Sequence, residues 1–169
     1  MLEEHAKVAE LIRQAGGING RRKLQKIIYI LQKLGVPFYE TFHFQMHGPY
    51  SEELSLQLEE LCDFGFLTEA WSSESGQVTY SVTPSGEEFL AGRRTLLPDV
   101  SALAGQLAAE KNAFLELTAA LFYFDTLPKT RVLEKVQSLY ENMEQVQIDS
   151  AFNYMASLRG KTPTVQTVG

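Results

Sequence analysis

His43 and His47 stand four residues apart, a separation at which two imidazoles on one helix turn can bind zinc. The residues around them contradict that use. Phe42, Phe44 and Met46 alternate with His43 and Gln45, which is the period of a half-buried strand running into a turn. No glutamate follows the first histidine and no third ligand is near, so no metal site is expected. His5 is weaker still, near the start of the chain. The lone cysteine, Cys62, falls on the apolar side of a helix and reads as a small buried hydrophobe with a raised thiol pKa. Asp125, after the apolar run Leu121-Phe122-Tyr123-Phe124, reads as a turn residue ahead of Pro128. There is no phosphate-cradling glycine loop and no nucleophile elbow. The expectation is a protein without catalytic residues and without a cofactor; a small-molecule sensor or enzyme built on Phe42, His47, Tyr50 and Tyr123 is a distant third reading.

Charge placement says more than any of these side chains. From Leu11 to Tyr39 there is no acid, while Arg13, Arg21, Arg22, Lys23, Lys26 and Lys33 are basic. From Ser51 to Phe64 the pattern reverses, with Glu52, Glu53, Glu59, Glu60 and Asp63 and no base. Turning each segment as a helix at about 100° per residue groups Arg22, Lys26, Tyr29 and Lys33 on one side of the first, away from its apolar stripe. The same construction sets Glu52, Glu59, Glu60 and Asp63 around Leu56, about 160° from Leu58. These nine residues are the expected partner-binding set. Phosphates would be repelled by the acidic helix, so reading of a DNA groove by it is disfavoured.

The elements that must position them follow from periodicity and caps. A first helix spans residues 2 to 15 and stops at Gly16-Gly17. A second, with Asn19 as its cap, carries Leu24, Ile27, Ile28, Leu31 and Leu34 and ends before Pro37. After the strand around Thr41 to Met46 and the turn His47-Gly48-Pro49-Tyr50, Ser51 caps a third helix with Leu54, Leu58, Leu61 and Cys62 on one side. Phe66 to Trp71 and Gln77 to Val82 form a hairpin, and Thr83-Pro84 opens a short fourth helix to about Leu90. This order predicts a mainly α protein with a small β wing: a winged-helix-like module over 1–95 and C-terminal helices over 96–158. In the latter, a seam from Val100 through Phe124 is interrupted at Glu110-Lys111, and a second stripe runs from Val132 to Met155. Residues 159–169 read as a loose tail. The stripes look larger than the module needs, so the C-terminal region is expected to make a homodimer.

With 169 residues, 44% hydrophobic, the chain can bury a core without disulfides or metal. The longest apolar runs, Ile27 to Leu31 and Ala119 to Phe124, are too short for a membrane span. One cysteine and an acidic, polar first segment fit the cytoplasm. The net charge of −6 works against nonspecific nucleic-acid binding.

Lys23-Leu24-Gln25-Lys26-Ile27-Ile28-Tyr29, then Phe42, His47-Gly48-Pro49-Tyr50-Ser51, Leu54, Leu61 and Gly65-Phe66-Leu67, resemble the YwgA family of bacilli over most of the chain. More remotely, residues 5 to 70 resemble the Panacea domain through the Lys-Leu-Gln-Lys and Gly-Pro signatures. That second resemblance implies an antitoxin-like use of the scaffold, binding other proteins. The expected function is therefore a noncatalytic interaction module, adaptor or regulator, acting through helices two and three. The alternative is a transcriptional regulator that binds DNA through basic helix two and the wing, with Arg93 and Arg94 as added phosphate contacts.

Overall fold

The computed structural model describes residues 2–74 and 76–161. These are mainly helical, with eight α-helices and two small antiparallel sheets. The chain runs α1 (Glu3–Ala15), β1 (Ile18–Asn19), α2 (Arg21–Lys33), β2 (His43–Gln45), β3 (Gly48–Tyr50) and α3 (Glu52–Asp63). It continues through β4 (Leu67–Ser72), β5 (Gln77–Val82), α4 (Pro84–Leu90) and a single 3-10 turn at Arg94–Leu96. Four helices complete it: α5 (Ser101–Ala108), α6 (Asn112–Tyr123), α7 (Lys129–Leu139) and α8 (Gln145–Gly160).

Local signals made most of these boundaries. Ser51 Oγ accepts from the Leu54 amide at 3.1 Å and starts α3; Thr83 Oγ1 accepts from the Gly86 amide at 3.0 Å and starts α4, with Pro84 in its first turn. The other end of α1 is closed by Gly16 at φ 72°. The interrupted seam resolves into two helices, α5 and α6. Lys23 Nζ on α2 donates to the Ala108 carbonyl at 2.8 Å, supplying a cation where α5 leaves its last carbonyls open.

Two elements differ from expectation. Asn19 does not cap α2: it lies in β1, which pairs with β5 through Ile18↔Tyr80 and Asn19↔Thr79, and its Oδ1 accepts from Thr79 Oγ1 at 3.3 Å. Gly20, at φ 101°, makes the corner into α2 instead, and its amide donates to the Val78 carbonyl at 2.8 Å. A two-residue strand has no periodicity to read; only its partner 60 residues away defines it. Likewise Gly48-Pro49-Tyr50, expected as a turn, is strand β3 paired to β2, with His43 opposite Tyr50 and Gln45 opposite Gly48. The larger sheet has the order β1-β5-β4.

The helices after residue 96 do not stand apart from what precedes them. α5 packs on α1, and α6 lies against α2 and β3 on one side and α8 on the other. One hydrophobic cluster accordingly runs from Ala6, Leu11 and Ile12 through Ile27, Ile28 and Leu31 to Leu107, Leu117, Leu121, Val136, Ile148 and Leu158. Most apolar residues of the C-terminal stripes are therefore spent inside the chain, with Leu127, Leu139 and Val146 left outside. Arg159 and Gly160, expected in a loose tail, form the last turn of α8; positions 162–169 of that tail lie outside the described residues.

Candidate functional site

On α3, Leu54, Leu58 and Leu61 are buried, each worth on the order of 1.5–3 kcal/mol of burial. The cap at Ser51 fixes the rotation of the helix, and that rotation turns Leu56 outward, 57% exposed. Glu52, Glu59 and Asp63 are exposed around it and Glu60 partly so. Two of these acids have basic neighbours: Glu59 lies 3.4 Å from Arg21 and Glu60 3.6 Å from His5. At the end of α3, Phe64 adds a second exposed apolar side chain beside the ring of His5. The acidity extends well past α3. Between Leu34 and Gly92 no Lys or Arg occurs, while ten acids do: Glu40, Glu52, Glu53, Glu59, Glu60, Asp63, Glu69, Glu74, Glu87 and Glu88. That run is legible in the sequence when the window is widened beyond one helix.

The basic set expected on α2 does not form a surface stripe. Arg22 is exposed, but Lys26 is only 3% and Tyr29 only 5% exposed. α6 and the β2–β3 hairpin cover the side of α2 that helical geometry leaves free, so what would be an outer face in the isolated helix is interior here. Tyr29 meets Phe42 edge to face at 4.9 Å and faces Tyr123 at 6.4 Å, and burial, then Asp125 and Tyr123, raise its phenol pKa. Phe44 closes the cluster at 5.0 Å from Tyr123 and 5.3 Å from Phe124. Lys33 is paired with Asp125 at 3.3 Å. Asp125, expected only to turn the chain, also takes Arg159 at 3.0 Å and so ties α2 to α8.

His43 and His47 are not brought together for a metal. His43 sits on β2, whereas His47 lies in the turn before β3, its Nδ1 3.6 Å from Glu116 Oε1. Among the described residues no group of three or more His, Cys, Asp or Glu could hold a metal ion. Cys62 is half-buried, with Sγ 3.6 Å from Glu69 Oε1; burial first, then the Glu69 charge, push its thiol up to about 11. A thiol held that far from its thiolate is a poor nucleophile.

One association escaped the sequence reading. Gln25 and Lys26 of the Lys-Leu-Gln-Lys stretch on α2 and His-Gly-Pro-Tyr at the hairpin, separated by about 20 residues, line one cavity. Gln25 joins them: its Nε2 donates to the Ser51 carbonyl at 2.8 Å and its Oε1 accepts from the Ser51 amide at 2.9 Å. Arg22 Nη2 lies 2.9 Å from His47 Nε2. Gly48 sits at φ 90° against α6, where a β-carbon would touch Glu116 Cγ at 3.4 Å.

The class defined by this architecture is a mainly helical protein with small antiparallel sheets, in which α3 exposes an acidic face and α2 has Lys26 and Tyr29 buried under α6 and the β2–β3 hairpin. No family model matches the chain. Its sequence is 40% identical over 163 residues to the Bacillus subtilis (strain 168) protein YwgA, described as uncharacterised, covering 94% of this chain and 98% of that one. The chain belongs to the YwgA family. None of its described helices is long and apolar enough to cross a membrane.

Proposed function

We propose that this chain is a noncatalytic, winged-helix-like protein-interaction module, an adaptor or regulator that binds a basic protein surface through the outer face of α3. Supporting the winged-helix reading are the order α1, β1, α2, the β2–β3 hairpin, α3, then the β4–β5 hairpin, and the pairing of β1 on β5. The observation that carries the function is Leu56. An apolar side chain 57% exposed and rimmed by Glu52, Glu59, Glu60 and Asp63 suits a small apolar pocket surrounded by Lys and Arg. Helix α2 contributes from behind: its enclosed residues hold the hairpin and α6 and leave α3 as the docking face.

A DNA-binding role is poorly served by the same features. The helix in the reading position and the hairpin wing belong to the 59-residue stretch without Lys or Arg, and Arg94 is engaged by Glu87 at 2.9 Å. The homodimer belongs to this proposal through the residues that the C-terminal stripes leave outside, Leu139 and Val146. The test is affinity capture from cell extract with wild type and Leu56→Asp in parallel. The expected result is a basic protein retained by wild type and lost with the variant. Equal retention by both removes α3 as the docking face, and retention of DNA with a steep salt dependence overturns the protein-binding reading.

A further inference from the structure

The cavity between α2 and the β2–β3 hairpin, about 140 Å³, is lined by Arg22, Gln25, Lys26, Met46, His47, Pro49 and Tyr50 among others. Its chemistry is unusual in one respect. Lys26 is almost fully buried along its stem and lines this cavity, and among the described residues its ammonium makes no hydrogen bond or ion pair. Burial lowers its pKa, the nearby Glu116 charge raises it, and Arg22 lowers it further. An ammonium that lines a recess without a fixed protein partner is left available to an anion that enters.

The other polar groups narrow what that is. Gln25 is held by the Ser51 backbone at both ends of its amide and serves as a fixed wall. Because a guanidinium only donates, His47 accepts from Arg22 through Nε2, which leaves its Nδ1 proton directed at Glu116, 3.6 Å away. Arg22 and Lys26 thus give the site two cations against the one carboxylate of Glu116. That balance suits a single negative charge; a phosphate dianion would meet Glu116. The volume matches about five water-sized groups, and Met46, Pro49 and Tyr50 offer apolar walls.

We propose that this cavity binds a small monocarboxylate, its carboxylate held by Lys26 and Arg22 and its short apolar tail against Pro49 and Tyr50. Recognition is of the kind in which two basic groups converge on one carboxylate inside a largely apolar recess. The proposal stands on a different part of the surface from α3 and does not depend on the protein-interaction reading.

The experiment is an NMR titration of the full-length protein with butyrate and benzoate, with butyramide as the neutral control and inorganic phosphate as the competing anion. Saturable shifts at Arg22, Lys26, His47 and Tyr50 are expected, with a Kd of about 1 mM or tighter for at least one carboxylate. Lys26→Met and Arg22→Ala should each weaken it about tenfold or more. Arg22 is exposed, so its replacement leaves the fold intact and decides the matter even if Lys26→Met does not fold. Butyramide binding as well as butyrate, phosphate binding more tightly than either acid, an Arg22→Ala protein that binds like wild type, or no saturable shift with any carboxylate would each overturn the proposal.

Discussion

Glu40 offers the sharpest test of the packing between α2 and α3. It lies between α2 and β2, 95% buried, and both carboxyl oxygens are without a hydrogen-bond partner among the described residues. Its backbone is pinned at both ends by Gln32, whose Oε1 accepts from the Glu40 amide at 2.9 Å and whose Nε2 donates to the Glu40 carbonyl at 3.0 Å. The flanking amides are taken by other acids: Tyr39 donates to Glu4 at 3.3 Å and Thr41 to Glu53 at 2.9 Å. Burial first, then the Glu4 and Glu53 charges, push the Glu40 carboxyl up to about 7 from an ordinary 4.5, against smaller opposing effects of Gln57 and Lys7. Between those two pH values the folded chain holds a proton at Glu40 that the unfolded chain has lost. Stability must therefore fall as pH rises through this window and level off above it. At about 1.4 kcal/mol per pH unit the loss is on the order of 3–4 kcal/mol.

Glu40→Gln keeps the shape and removes the titration. Urea unfolding of both proteins from pH 4 to 8.5 isolates this group, because the remaining titrations cancel in the difference. The variant should match wild type near pH 4, gain progressively, and exceed it by roughly 3–4 kcal/mol at pH 8. A difference independent of pH, or a variant less stable than wild type at pH 8, would refute the reasoning.

Three further outcomes follow from the same geometry. Leu56→Asp should change folding stability by no more than about 0.5 kcal/mol, whereas Leu58→Asp should cost several kcal/mol, since only the second buries a carboxylate; thermal melts of the pair check this. Gly86→Ala should cost about 2 kcal/mol or more in denaturant unfolding: its β-carbon would run into the Phe66 carbonyl oxygen, just before β4, and approach Val82 Cγ1 at the end of β5 at 2.7 Å. Light scattering at micromolar concentration should give twice the chain mass of 19.0 kDa, and Val146→Glu, at an exposed position on α8, should return it to the monomer mass; a wild-type monomer rejects the dimer.

How much of this was legible beforehand depends on whether the cause is local. The caps at Ser51 and Thr83, the stop at Gly16, the leucine face of α3 and the break near Glu110 act over three or four residues, so spacing alone reveals them. The outward position of Leu56 is of the same kind, because a helix with one buried face fixes its other face by rotation. The fate of α2 is not. A helical wheel shows Lys26 and Tyr29 opposite the apolar stripe and says they meet water, but whether they do is decided by α6, about 90 residues later, folding back onto that side. Strand β1 exists only because β5 pairs with it, and the cavity exists only because Gln25 clamps Ser51 across a gap of 26 residues. A chain records its short-range preferences in spacing and residue type; which surfaces it then covers is settled by long-range burial, and that is how Lys26 and Tyr29 came to lie inside the protein while Arg22 and Lys33 of the same helix stayed exposed.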